Sequence, residues 1–161
     1  MNKKITYLII ALALPGLIFI FLKIFGKNHF DIPVYYKNGI TDSLKECSGA
    51  RRGQYYLPDS VLATLKCRSD ITTLFVSDLE ISNKEVEKLK QSFSSQLQII
   101  SLEGLDPERM NRIKKCTLFL KEPWSAVLVD KQKRIRGYYA FKSLEETDRL
   151  NVEVDILLAN N

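Results

Sequence analysis

Ile5 to Phe25 reads ITYLIIALALPGLIFIFLKIF, an apolar run broken by one charge, Lys23. Its 21 residues, at a helical rise of about 1.5 Å each, span roughly 30 Å, the thickness of a bilayer's hydrocarbon core. A chain carrying such a segment is expected to place it in a membrane, and residues 1–27 read as an N-terminal transmembrane anchor. Pro15-Gly16 would kink the helix mid-span, which lipid-embedded helices tolerate. Lys23 sits near the end, where its long stem reaches the headgroups. The competing reading, a cleaved signal peptide, fits poorly. The apolar run is too long, no small-x-small cleavage site follows it, and no cysteine near its end accepts a lipid.

Charge follows from the same segment. The formal net charge is +5, from 24 Lys and Arg against 19 Asp and Glu. Lys3, Lys4, Lys23 and Lys27 flank the apolar run, and residues 1–27 hold no acid. Setting those four aside leaves 20 basic against 19 acidic residues. The excess belongs to the membrane interface, and no nucleic-acid partner is expected. Cations on both sides bring the positive-inside rule close to a tie. The preferred orientation keeps the short tail inside and exports the C-terminal domain.

Beyond the anchor the composition is that of an ordinary globular domain, 45% hydrophobic and 27% charged overall, large enough to bury a core. Residues 28–60 read as a linker and irregular extension, with a short strand near Gln54-Tyr55-Tyr56-Leu57. Residues 61–161 read as the folded domain, beginning with a strand or turn at Val61 to Leu65. Ile71 to Val76 is β-branched and aromatic, fit for a buried strand. Ser82-Asn83-Lys84-Glu85 matches a capping box, with Ser82 as N-cap and Ile81 and Val86 as a hydrophobic staple. Val86, Leu89 and Phe93 then share one helix face. Leu97 to Leu102 is the next strand. Asp106-Pro107 opens a short helix that turns Met110 and Ile113 inward. Ala126 to Val129 and Arg134 to Tyr139 form a hairpin around Asp130-Lys131-Gln132-Lys133, read as a solvated turn. Ser143-Leu144-Glu145-Glu146 is a second capping box, opening a helix whose stripe is Leu150, Val154, Leu157 and Leu158.

The order is βαβ–α–ββα. A right-handed crossover makes the first two strands parallel, and the hairpin adds antiparallel neighbours. The expected fold is therefore α/β and thioredoxin-like: a central mixed sheet with helices on both faces, preceded by one transmembrane helix. An open doubly wound sheet would need a helix between Val129 and Arg134, where there is no room.

Within that layout, Val127-Leu128-Val129-Asp130-Lys131-Gln132-Lys133-Arg134-Ile135-Arg136-Gly137-Tyr138-Tyr139 resembles the hairpin of the SCO family, membrane-anchored thioredoxin-fold proteins that help insert copper into cytochrome c oxidase. The stretch Ser143 to Asp148 and the pair Leu157-Leu158 correspond to that family's acidic loop and final helix. The segments IPVYYKNG and QYYLPD after the anchor resemble its bacterial members. The close match covers about residues 125–158. SCO chemistry uses a CxxxC motif at the first helix and a His before the hairpin, a donor set suited to copper in both oxidation states. The counterpart positions here are Asp78-Leu79-Glu80-Ile81-Ser82 and Glu122-Pro123-Trp124, which supply neither. The chain's one His, His29, follows the anchor. The resemblance thus implies the fold without the family's copper site, and no cofactor is expected, copper being disfavoured.

Cys47, Cys67 and Cys116 have neither CxxC nor CxxxC spacing. The expectation is one structural disulfide, Cys47 with Cys67, and a buried Cys116 thiol. Asp78 and Glu80 are explained by the helix dipole. Pro123 precedes a strand, as the cis-proline of thioredoxin-like folds does. The tyrosine pairs read first as packed strand residues, and Trp124 reads first as core. Trp124, Tyr138 and Tyr139 are also the candidate partner surface. Without a histidine beyond His29 no Ser-His-Asp set exists in the domain, and no phosphate loop or zinc spacing appears. The chain is expected to be non-catalytic and to act through protein contacts at a bacterial inner membrane, with the domain in the periplasm and respiratory haem-copper oxidase components as partners. Two alternatives stand beside this: an interaction or scaffold subunit of another envelope complex, and a thiol-dependent copper or redox protein using Cys47, Cys67 and Cys116.

Overall fold

The computed structural model describes residues 4, 13–21, 23, 31–40, 47, 52–77 and 79–159, without the side chains of 79–83 and 85. Two units separate, Met1–Asp31 and Ile32–Asn161. In the first, residues 13–21 are helical and expose Leu14, Leu17, Ile18, Phe19, Ile20 and Phe21. Among the described residues no helix is long and apolar enough to cross a membrane. Most of the rest of the expected anchor, 5–25, lies outside them.

The second unit is built on four strands. β1 (Thr72–Val76) is buried along its whole length, and its β-branched and aromatic side chains suit a strand packed on both faces. It pairs in parallel with β2 (Leu97–Ser101), Thr72 opposite Leu97 through Val76 opposite Ser101. On its other side it pairs antiparallel with β3 (Ala126–Val129), which continues into β4 (Ile135–Tyr139) with a register shift at Leu128/Val129. The sheet order is β2-β1-β3-β4. This is the mixed α/β architecture expected from the sequence.

Among the described residues the unit's helices with full bounds are α1 (Asp59–Thr64), α2 (Leu79–Phe93), α3 (Pro107–Cys116) and α4 (Leu144–Ala159). Alternation along the strands divides the core in two. Val127, Val129, Ile135 and Phe75 pack with Leu62 of α1 and Ile113 of α3. Leu74, Ala126 and Leu128 pack with Val86 and Leu89 of α2 and Leu150, Val154 and Leu157 of α4. Two expected caps form: the Asp106 carboxylate accepts from Arg109 N at 3.1 Å, and Ser143 Oγ accepts from Glu146 N at 3.4 Å.

Local expectations fail in three places. Val61 to Leu65 lies in or beside α1 and not in a strand, because Val61, Leu62 and Leu65 fall on one helical face and Leu62 and Leu65 are buried. α2 begins at Leu79, so Ser82 and Glu85 lie within the helix and not at its cap. Residues 54–57 form no strand; their backbone bonds are single ones, Tyr55 N to Tyr36 O at 3.1 Å and Leu57 N to Lys133 O at 2.9 Å. The stretch read as linker contributes Ile32, Ile40, Tyr55 and Leu57 to the two cores. Its apolar residues are spaced irregularly, so they carry no periodic signal, yet these four are buried.

Candidate functional site

Ser77 and Ser125, which flank the positions that the family resemblance singles out, meet at one end of the sheet, where β1 leads into α2 and the chain enters β3. Ser77 N and Ser77 Oγ both donate to Ser125 O, at 2.8 and 3.0 Å. Ser125 N donates to Tyr139 O at 2.8 Å, and its Oγ accepts from Phe141 N at 3.2 Å. Lys114 Nζ, from α3, donates to Ser77 O at 3.4 Å. The Glu122–Pro123 peptide is cis, and Trp124, half-buried, packs against the first core. Among the described residues, the groups here are hydroxyls already bonded to backbone and one ammonium. Ser77 Oγ donates to a carbonyl and not to a base, so the contacts do not activate it as a nucleophile. Asp78 lies outside the described residues, as does His29.

The hairpin turn is a buried ionic hub, which corrects its reading as a solvated loop. Asp130, 3% exposed, accepts at Oδ1 from Gln132 N and Arg134 N, at 3.0 and 2.9 Å. Its Oδ2 accepts from Arg134 Nε at 2.8 Å and Arg136 Nη1 at 3.0 Å. Arg136, also buried, donates through Nη2 to Ile32 O at 2.5 Å. A carboxylate so surrounded is compensated by charge and hydrogen bonds together. The hub fixes the first residues of the unit to β4.

Tyr138 and Tyr139 are not a surface. Tyr138 lies beneath Tyr35 (ring centroids 5.1 Å apart), and its hydroxyl donates to Leu118 O at 2.8 Å. Tyr36 packs edge-on against Phe119 at 4.8 Å, and Tyr55 against Phe119 at 5.0 Å. Burial raises the phenol pKa of Tyr36 and Tyr138. Tyr139 is fully buried beneath α4. Its hydroxyl donates to the Glu153 carboxylate, and the Arg149 guanidinium stands 4.8 Å from the ring centroid. Burial and then Glu153 raise its pKa above the ordinary phenol value. Of the proposed partner residues only Trp124 keeps substantial exposure. Tyr35 and Tyr36, read from the sequence as packed strand residues, do pack in this cluster but from a turn and not a strand, while Phe119 carried no sequence signal.

The cysteines pair differently from expectation. Cys47 is joined to Cys116, 69 residues apart, and Cys67 is the free thiol. Cys67 lies just past α1, half-buried against the first core, while Cys116 ends α3 at a half-exposed position and is not the buried thiol expected. Burial pushes the Cys67 thiol up to about 11, so almost none of it is thiolate at neutral pH. Among the described residues no group of three His, Cys, Asp or Glu stands together as metal ligands would. No protein-family model and no curated protein matches this chain.

Proposed function

We propose that the chain is a membrane-anchored, thioredoxin-like relative of the SCO proteins that has given up thiol and copper chemistry and works by protein contact, in the assembly or support of a respiratory haem-copper oxidase. The observation that carries this reading is the sheet order β2-β1-β3-β4 with only β1 and β2 parallel. It is the order a thioredoxin-like core requires. Residues 77–82, where that core would carry its reactive cysteines, read Ser-Asp-Leu-Glu-Ile-Ser. The Cys47–Cys116 bond supports an exported domain, since such bonds persist in oxidising compartments. The apolar run 5–25 supplies the anchor in this reading. The partner would meet the end of the sheet carrying Trp124, which is half-exposed beside the cis-proline. To test it, the full chain is purified from its own membrane in mild detergent and the accompanying proteins are identified by mass spectrometry. Oxidase subunits that are lost with Trp124→Ala support the reading. An unrelated envelope complex in their place refutes it.

A further inference from the structure

Outside the first unit, four large apolar side chains among the described residues are exposed: Tyr35, Tyr56, Leu144 and Val152. The two tyrosines come from backbone strips bonded to each other where the chain enters the second unit. Ile32 is buried there, and its carbonyl accepts from Arg136 Nη2 at 2.5 Å. Tyr35 N then donates to Ile135 O at 2.9 Å, and Tyr55 N to Tyr36 O at 3.1 Å. Gln54 Nε2 bridges the carbonyls of Tyr35 and Tyr55, at 3.3 and 3.0 Å. Tyr36 and Tyr55 turn inward onto Phe119. Their neighbours Tyr35 and Tyr56 keep 36% and 50% of their surface in solvent.

Chain length selects the neighbour of this face. Only six residues separate Phe25, the end of the apolar run, from Ile32, and fully extended they reach about 25 Å. A compact unit of about 130 residues is roughly 35 Å across. The face around Ile32 is therefore the one the chain holds nearest a bilayer that carries the run. Charge agrees. On the segments bonded together here, Lys37, Arg52 and the four cations of 131–136 outnumber Asp31, Asp59 and Asp130. Lys131 shares a cleft with Asp70, but Asp70 is paired with Arg68 at 2.9 Å, so the excess stands. The other exposed apolar residues, Leu144 and Val152, lie on α4, whose five acidic residues against Arg149 oppose a phosphate surface.

We infer that, given the membrane anchor proposed above, the face carrying Tyr35, Lys37 and Tyr56 rests in the headgroup layer of the phospholipid bilayer. Tyrosine suits that layer, with an apolar ring on the acyl side and a hydroxyl in water. The Lys37 ammonium would meet lipid phosphates. The unit would then keep one orientation on the membrane instead of turning freely on its tether.

The test places the full natural chain in phosphatidylcholine nanodiscs containing headgroup spin-labelled lipid and measures the broadening of its amide signals. The amides of Tyr35, Lys37 and Tyr56 should broaden severalfold more than those of Leu144 and Val152. Broadening spread evenly over the unit, or strongest on α4, would overturn the inference, and this comparison needs no variant to fold. A chain carrying Tyr35→Ser, Lys37→Gln and Tyr56→Ser, with far-UV circular dichroism retained, should lose the contrast. A folded variant that keeps it would overturn the inference as well. Moving the spin label to the acyl chains tests the anchor separately, through the amides of residues 13–21. If these broaden while the headgroup contrast is missing, the docking is refuted and the anchor stands. If these do not broaden, both are refuted.

Discussion

Gly137→Ala should be among the most damaging single-methyl changes in the domain, because of one neighbour. A Cβ at Gly137 would run into Tyr139 Oη, with Cζ at 2.5 Å and Cε2 at 2.9 Å. The two residues share a face of β4, and the Tyr139 ring lies across the space a side chain at 137 would fill. Tyr139 has nowhere to retreat, being fully buried with its hydroxyl on Glu153. Overpacking of this kind costs about 1–3 kcal/mol. Pulling the hydroxyl from a carboxylate costs about 1.5–3 kcal/mol more. Together these give about 2.5–6 kcal/mol, a large share of a small domain's stability. The chain has a single tryptophan, so urea unfolding can be followed by Trp124 fluorescence, with Tyr139→Leu and the double variant completing a cycle. The double variant should be less destabilised than the sum of the two single changes by at least about 1 kcal/mol, since the clash has lost its partner. Strict additivity, or a Gly137→Ala variant within about 0.5 kcal/mol of the natural protein, would refute the packing argument.

Asp130→Ala leaves Arg134 and Arg136 without their shared carboxylate, and the loss should be about 3–5 kcal/mol by urea unfolding. Reducing the Cys47–Cys116 bond frees a loop of 69 residues and should lower stability by about 2–4 kcal/mol, read as a fall in Tm with reductant present. Cys67 should react with a disulfide reagent roughly 100-fold more slowly at pH 8 than a thiol of pKa 9.0, from its shift to about 11; labelling kinetics across pH check this. Cys67, Tyr138 and Tyr139 all hold their protons more tightly folded than unfolded. The stability they contribute is fully present below about pH 9 and falls as pH rises through the ordinary thiol and phenol values. A stability profile rising in that range would contradict the assigned burial.

What the sequence disclosed, and what it did not, divides by range. β1, β3 and α4 were legible because their signals are local: a continuous apolar run, a hairpin too short for a helix, and a capping serine above a stripe of Leu150, Val154 and Leu157. The parallel β1–β2 pairing followed from the handedness of one crossover. The site was less legible because its contacts are distant in the chain. Arg136 reaches Ile32 across 104 residues, and nothing in the hairpin's pattern announces that its turn carboxylate will be enclosed by two arginines. The disulfide failed for the same reason. Three cysteines without motif spacing allow three pairings, and only the placement of α3 selects Cys116. Tyr138 and Tyr139 suggested a surface as an aromatic pair, but β4 is covered on both faces, once by the irregular extension and once by α4.

The proposed role in oxidase assembly is tested most directly by deleting the gene and measuring haem-copper oxidase in the membranes by reduced-minus-oxidised spectra and oxygen uptake. Complementation would use the natural chain and Cys67→Ser. Deletion is expected to lower the assembled oxidase severalfold, and Cys67→Ser to restore it fully, since the free thiol takes no part. An unchanged oxidase on deletion, or a Cys67→Ser chain that fails to restore it while folded and in place, would rule out this role.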